Sequence, residues 1–546
     1  MKKFTFLTVI AFAVSLSANA AWTDKIIPVD KASAYVRSMP MAMDAEGNTI
    51  VTAPYNGCET FTFGISKFKG QTENDAFVAK YDDQGNQMWA RGFNGNVRIT
   101  AVTTDPEGTI YVAGKFASDV VVGEAYFSDG TVDNTTRYSS FIVKINKNGY
   151  VDGHMVIVPT KDTTLLSGGL YDLIELNTTI SHIESDGKKV YFSLSYNGDV
   201  SVAGLSLQGH YQSSFGCLMN ATTSAIVSLD AYTLGSPELV VSVGATEQVV
   251  EDVYYRPEDV CFTLNNGVIY AGFVAEGTVG VTTPAGTTKV SLDYELYGSI
   301  EHAFLFVKVD DTKSDMKIYH TTATSSLNQH NSIDQMRVIG GYLVVAGTFN
   351  VDGLFGGLQY QGGSDMFVAT LNSSNLNLTA AKSTQNNEGE SNKCAEVVTS
   401  LFNDGARWAL TGYAENTADH SFIKPLAYTV VLPSCEMEYS TSEYITAAAE
   451  NDNYISIQAA TDSVTYFYSG MARTYSGLEE VVANQGKTIQ LNGDNVVLAA
   501  AADINVYNIN GALVKDAKAA TSLSLADLSK GMYIIKVGQK AIKFNK

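Results

Sequence analysis

Ile99 to Phe116 reads ITAVTTDPEGTIYVAGKF: an apolar-alternating run, a tight acidic turn around Gly108, and a second run that closes on the small pair Ala113-Gly114. Period-two alternation on both sides of an Asp/Gly turn predicts a β-hairpin. Versions of it recur along the chain. Aligned on the first apolar residue of the second strand, the copies are TIVTAP (Ile50), TIYVAG (Ile110), KVYFSL (Val190), VIYAGF (Ile269), YLVVAG (Leu343) and RWALTG (Trp408). The turns before them are DAEGN, DPEG, SDGK, NNG, GG and NDGA, residues that tolerate the positive φ such turns need.

A second stretch follows each anchor: DAFVAKYDDQGNQMWARG from Asp75, SSFIVKINKNGYVDGHMVI from Ser139, SSFGCLMNATTSAIVSLDA from Ser213, HAFLFVKVDDTKSDMKIYH from His302 and DMFVATLNSSNLNLTAAKS from Asp365. Each is expected to be strand, turn, strand, so each unit supplies four antiparallel strands. A seventh, shorter copy is YITAAAENDNYISIQAA, with Tyr454 as anchor and a third strand over Ser463 to Tyr468. It lacks a fourth strand of its own. Residues 22 to 29 are expected to complete it, because Trp22 resembles Trp89 of the first unit and closure removes an exposed sheet edge. One four-stranded sheet cannot bury both faces, whereas several packed around an axis can. The fold expected is all-β: a β-propeller of seven blades, or six if Tyr454 does not anchor one, followed by a small C-terminal β-sandwich.

The run Asp75 to Trp89 followed by Ala101 to Phe116 resembles the seven-bladed β-propeller repeat of secreted bacterial proteins. That resemblance implies a fold and an extracytoplasmic setting, with no fixed activity.

The two ends concern export. Lys2 and Lys3, an apolar run from Phe4 to Leu16 and the Ala18-Asn19-Ala20 site read as a signal peptide over residues 1–20. No later run approaches the ~18 apolar residues that span a bilayer, so no transmembrane segment is expected. From Gly486 onward the pattern changes. Val506-Tyr507-Asn508-Ile509-Asn510-Gly511, Leu525-Ala526-Asp527-Leu528, the run Lys530 to Val537 and Lys543 resemble the C-terminal sorting domain of type IX secretion cargo in Bacteroidetes. The resemblance implies contact with the secretion machinery through residues 484–546. The domains expected are therefore the signal peptide, the propeller over 21–483 and the sorting-type module over 484–546.

Charge supports the division and excludes partners. The chain carries −21 overall, while Asn484 to the end holds eight Lys and four Asp. An acidic body repels phosphate, so nucleic acid is not expected as a partner. The five Cys (Cys58, Cys217, Cys261, Cys394, Cys435) are scattered, with no C-x-x-C pair, and most read as small core residues.

Catalytic spacing is absent. His154, His182, His210, His302, His320, His330 and His420 stand apart, mostly as surface or turn residues, and there is no H-E-x-x-H or G-x-S-x-G. Asp82 and Asp83, and Asp310, Asp311 and Asp315, invite comparison with calcium sites, but Asp is favoured there as a turn former and the EF-hand spacing is missing. No cofactor is expected, with calcium as the alternative. Tyr254, Tyr255, Tyr294 and Tyr297 lie in insertions between strands, where aromatics either stack on sugars or pack long loops onto the body. They are the ligand-binding candidates. The expected function is a monomeric, secreted or cell-surface binding or scaffold protein for glycan or protein, and not an enzyme. The alternatives are a lyase or glycosidase with its site in the funnel, which needs two carboxylates roughly 5 to 9 Å apart, and a structural spacer.

Overall fold

A computed structural model describes residues 23–27 and 40–545 apart from loop segments, the longest being 161–175, 246–259 and 473–488. The signal peptide, Trp22 and the 483/484 boundary lie outside the described residues. Contacts divide the chain into two units, with the boundary of the main chain path after Ala472.

Among the described residues, the first unit contains seven antiparallel meanders of four strands. Their innermost strands are Met41–Met43, Val97–Thr104, Asn177–Ser185, Cys261–Asn265, Ser332–Ile339, Cys394–Asn403 and Tyr444–Glu450. Every anchor residue falls in a second strand: Ile50, Ile110, Val190, Ile269, Leu343, Trp408 and Tyr454 all lie next to the inner strand of their own sheet. The seventh sheet takes its fourth strand from the other end of the chain, with Thr23–Ile27 pairing antiparallel against Thr465–Ala472 through Thr23↔Ser469 to Ile27↔Thr465. The unit is a β-propeller, and each meander is a blade.

Burial follows strand position. Second and third strands are covered on both faces and read as nearly continuous apolar runs, such as Ile110–Phe116 and Asp75–Tyr81. Apolar clusters run between sheets: one joins Phe93 and Val78 to Val112 and Phe141, the next joins Tyr111 and Ile142 to Phe192 and Val227. Burial between blades, at about 25 cal/mol per Å² of apolar surface, is thus the principal force holding the ring.

Three further devices tie particular blades to their neighbours. Hairpins inserted between second and third strands reach back to the preceding blade: Asp119–Val122 pairs with Gln87–Asn94, and Thr278–Thr283 pairs with Gly235–Ala245. Tyr hydroxyls one residue after an anchor donate to the outer turn of the next blade, Tyr111 to the Ala231 carbonyl and Tyr270 to the Ser373 carbonyl, both at 3.0 Å. Trp89 does the same from the first blade, its Nε1 donating to the Lys147 carbonyl at 3.1 Å.

One strand assignment is corrected. In the third unit, SSFGCLMN was expected to be the third strand, but His210–Ser214 and Cys217–Ala221 form a hairpin of their own. The third strand is Thr223–Asp230, which pairs with Lys189–Asn197 on one side and Gly235–Ala245 on the other. The physical reason is burial: Thr223–Asp230 is covered along almost its whole length, as a strand between two others must be.

The second unit is a small β-module. Its long strand Asn495–Asn508 breaks register between Val497 and Ala502, so its first part pairs with Ile489–Asn492 and its second with Met532–Val537, while Leu513–Ser524 accompanies both. The strands of the expected sandwich form one hydrogen-bonded sheet, and Val496, Ile504, Val506, Leu525 and Ile535 belong to its core.

Candidate functional site: the central channel

The seven inner strands surround a channel of about 1160 Å³, lined from Pro40 in the first blade to Ala448 in the seventh. What faces it is decided by a local irregularity that recurs. Register shifts by one residue between Ile99 and Ala101, Ile180 and His182, Val398 and Ser400, and Ile445 and Ala447. The extra residues of these β-bulges are Thr100, Ser181, Thr399 and Thr446. A bulge residue leaves the ladder and turns its side chain out of alternation. Thr100, Ser181 and Thr399 line the channel in the second, third and sixth blades, the Thr100 hydroxyl donating to the Ile180 carbonyl, that of Ser181 sharing a hydrogen bond with Ser193 at 2.8 Å and that of Thr399 with Thr411 at 3.3 Å.

In the second and sixth blades the bulge also accounts for the glycine of the small pair. A Cβ on Gly114 would lie 2.3 Å from the Arg98 carbonyl oxygen, one on Gly347 would lie 2.0 Å from that of Ser332, and one on Gly412 would lie 2.1 Å from that of Val397. In the second and sixth blades the inner-strand carbonyl beside the bulge presses on the second strand where glycine stands, whereas the same bulge in the third and seventh blades is opposite Leu194 and Ala459. The motif ITA, ISH, VTS, ITA in the inner strands carried this signal, but alignment on the second strand passed over it.

Along the channel three levels differ in chemistry. At the mouth where the inner strands begin stand Arg98 and Lys115 from the second blade, Thr179 from the third, and Tyr413 and Glu415 from the sixth. Glu396 lies at the same end, 3% exposed, its Oε2 accepting the Met366 amide at 3.1 Å and the Thr384 hydroxyl. Midway, His182 Nε2 donates to the Asp334 carbonyl at 3.4 Å, joining the third and fifth blades across the lumen. At the far end, Arg337 pairs with Glu450 at 3.1 Å.

Glu184 lines the channel beside His182 and is half-buried. Burial pushes its carboxyl up to about 7, against the lowering effect of the Leu264 amide at 2.9 Å, the Thr263 hydroxyl and the Arg337 charge. An acid held near neutrality in a cavity is a common mark of a functional site. Cys435, by contrast, is fully buried with its thiol pushed up to about 11, a structural residue.

The residues singled out in the sequence fare differently. Tyr254, Tyr255, Tyr294 and Tyr297 lie outside the described residues. Asp82 serves its turn, Oδ1 accepting the Asn86 amide at 2.6 Å, and Asp310 Oδ1 accepts the Lys313 amide at 2.9 Å. Asp315 faces Lys313 at 3.6 Å, and Asp311 lies outside the described residues. No group of three His, Cys, Asp or Glu side chains suited to a metal occurs among the described residues. Two histidines depart from the surface reading: His182 lines the channel, and His302 is 6% exposed beside Glu276. Both sit within strands, where isolated His gives no periodic signal. His154 and His320 are exposed, stacked on Phe127 and bonded to Glu301 at 2.7 Å respectively.

Comparison with known proteins decides the C-terminal unit. Residues 483–546 match the family described as secretion system C-terminal sorting domain. The chain ends in a sorting domain. It is accordingly type IX cargo, delivered to the cell surface or beyond, and the sorting domain is its point of contact with the secretion machinery. No helix among the described residues is long and apolar enough to cross a membrane.

For the propeller, an uncharacterized WD repeat-containing protein of Acanthamoeba polyphaga mimivirus is 30% identical over 123 residues, 20% of this chain and 9% of that protein. The chain thus spans under a tenth of that relative. Among solved structures, polysaccharide lyase Uly1 matches with 11% identity and a TM-score of 0.38, covering 82% of this chain and 98% of that one. Trypanosoma rangeli sialidase matches with 7% identity and a TM-score of 0.30, covering 90% and 88%. Penicillium chrysogenum alpha-L-arabinanase matches with 10% identity and a TM-score of 0.31, covering 67% and 91%. Likenesses this distant carry nothing about activity.

Proposed function

We propose that this exported propeller is a binding protein that takes a glycan into its central channel. The supporting observation is the channel lined by all seven inner strands, with hydroxyls on its wall at the bulges of Thr100, Ser181 and Thr399. Hydroxyls serve as both donors and acceptors, the chemistry that matches sugar hydroxyls at many orientations. A volume of about 1160 Å³ accommodates several sugar rings. The test is a glycan array with the full exported protein and with His182→Ala and Thr399→Val. Specific retention that these two channel variants lose supports the reading. Retention that both variants preserve would move the site to the outer loops, and retention of protein partners alone would favour a scaffold.

A second reading, hydrolysis or elimination on a polysaccharide, is favoured by Glu184, an acid whose burial keeps it protonated close to neutral pH. Glu184→Gln would abolish release of reducing ends from a polysaccharide panel if the channel is catalytic. Absence of any release by the parent protein removes this reading.

A further inference from the structure

An antiparallel sheet with one solvated face turns apolar side chains inward and polar ones outward, and the C-terminal unit keeps that rule over only part of its sheet. On the covered face, Ile504 and Val506 are buried with Ile535 and Val537. On the other face, successive rows run across the strands, because residues directly opposite one another point to the same side. The first row is polar: Asp503 pairs with Lys518 at 3.1 Å, both exposed. The second is polar too, with Asn505 opposite Asp516 on one side and Lys536 on the other. The third is apolar. Tyr507 stands opposite Leu513 and Ile534, which are 52% and 41% exposed. Register shifts between Val506 and Tyr507, which leaves Val514 as the extra residue of a bulge, also 41% exposed. Apolar groups thus gather at one end of a face whose other rows are polar, a grouping that marks a contact surface rather than scattered surface residues.

We propose that Tyr507, Leu513, Val514 and Ile534 form the face by which the sorting domain docks on the secretion machinery, and that the occupant is a protein surface with an apolar depression rimmed by carboxylates. The match to the sorting family makes this module the chain's point of contact with that machinery. A tyrosine flanked by aliphatic groups is the composition of an interface centre. Charge supplies the rim. Residues 484–546 hold eight Lys and four Asp, although the chain as a whole carries −21. An acidic receptor therefore attracts this module and repels the remainder of the same chain, so the correct end is engaged. Lys536, in the adjoining row, is exposed beside the apolar groups. Pairing along a strand edge, the other common way to recognise a sheet, reads main chain and would leave these side chains idle.

The full chain, produced in a Bacteroidetes host with a working type IX system, tests this by fractionation and surface labelling. Leu513→Ser combined with Ile534→Ser lowers the surface-delivered fraction about ten-fold and leaves the protein in the periplasm, while Lys518→Ser, at the polar end of the same face, is delivered like the parent. Both replaced side chains are exposed, so the retained protein keeps the parent's thermal midpoint. In an otherwise unaltered chain, a photoreactive phenylalanine analogue at position 513 cross-links to an outer-membrane component of the secretion machinery, and one at position 518 does not. Delivery of the double variant equal to the parent's overturns the docking face in favour of edge pairing. Loss of delivery with a lowered midpoint and no cross-link from position 513 overturns it as well. A cross-link from position 513 to the chain's own residues alone overturns the machinery as occupant. Delivery that survives deletion of residues 483–546 places the failure with the sorting assignment instead of with the face.

Discussion

The Arg337 guanidinium of the fifth blade reaches the Glu450 carboxylate of the seventh at 3.1 Å, and on the way its Nε donates to the Leu401 carbonyl of the sixth at 3.1 Å. Glu450 in turn accepts the Asn403 amide at 2.9 Å. One side chain thus fastens three blades next to the sheet that the two ends of the propeller chain complete. Arg337→Ala strands a nearly buried carboxylate and should cost about 2 kcal/mol, discounted because the arginine is partly exposed. Denaturant unfolding of the two proteins measures it, and an unchanged midpoint would show the bridge to be idle.

Gly114→Ala places a methyl 2.3 Å from the Arg98 carbonyl and 2.7 Å from the Phe141 ring. A loss of about 1–3 kcal/mol is expected. Gly153, whose Cβ would meet nothing within 4 Å, is the control, and Gly153→Ala should be close to neutral. Equal effects at both positions would mean that the bulge does not require glycine.

Tyr111→Phe removes the hydroxyl that latches the second blade to the Ala231 carbonyl of the third. The expected cost is about 1 kcal/mol, seen as a lower thermal midpoint without change in the far-ultraviolet spectrum. A stability equal to the parent would assign the latch to packing alone.

Glu184 makes stability depend on pH. Its carboxyl is raised from 4.5 to about 7 in the folded protein, so the folded state holds its proton more tightly than the unfolded chain. The corresponding stability is fully present below pH 4.5 and is lost as pH rises through 7. Glu184→Gln removes this slope while keeping an acceptor for the Leu264 amide. Across that window the variant should therefore gain on the parent, by on the order of 3 kcal/mol. A difference between the two that stays flat with pH would contradict the assignment.

Deletion of residues 483–546 should leave the protein in the periplasm, as judged by fractionation and surface labelling, because the sorting domain is its export signal. Surface exposure equal to that of the full chain would show that another segment carries the address.

How much was legible follows from what each feature leaves in local pattern. The anchors from Ile50 to Tyr454 and the Asp turns were readable because a second strand buried on both faces must be apolar and short turns must use Asp, Asn or Gly. The third strand of the third blade was misassigned because SSFGCLMN and TSAIVSLD are both plausible strands, and only pairing with Lys189–Asn197 distinguishes them. The channel residues left a fainter trace. A bulge shifts register by one residue, so Thr100, Ser181 and Thr399 look like ordinary polar positions in an alternating run.

By itself the sequence determined the repeat, the all-β class, the propeller and the sorting domain, because these depend on periodicity, turn chemistry and composition, which neighbouring residues encode together. Tertiary structure alone decided which side chains meet at the channel. His182 meets Asp334 across 152 positions of chain, and Arg337 meets Glu450 two blades away. Such encounters arise only when seven separately encoded sheets close into a ring, and no local pattern records which side chains then face one another.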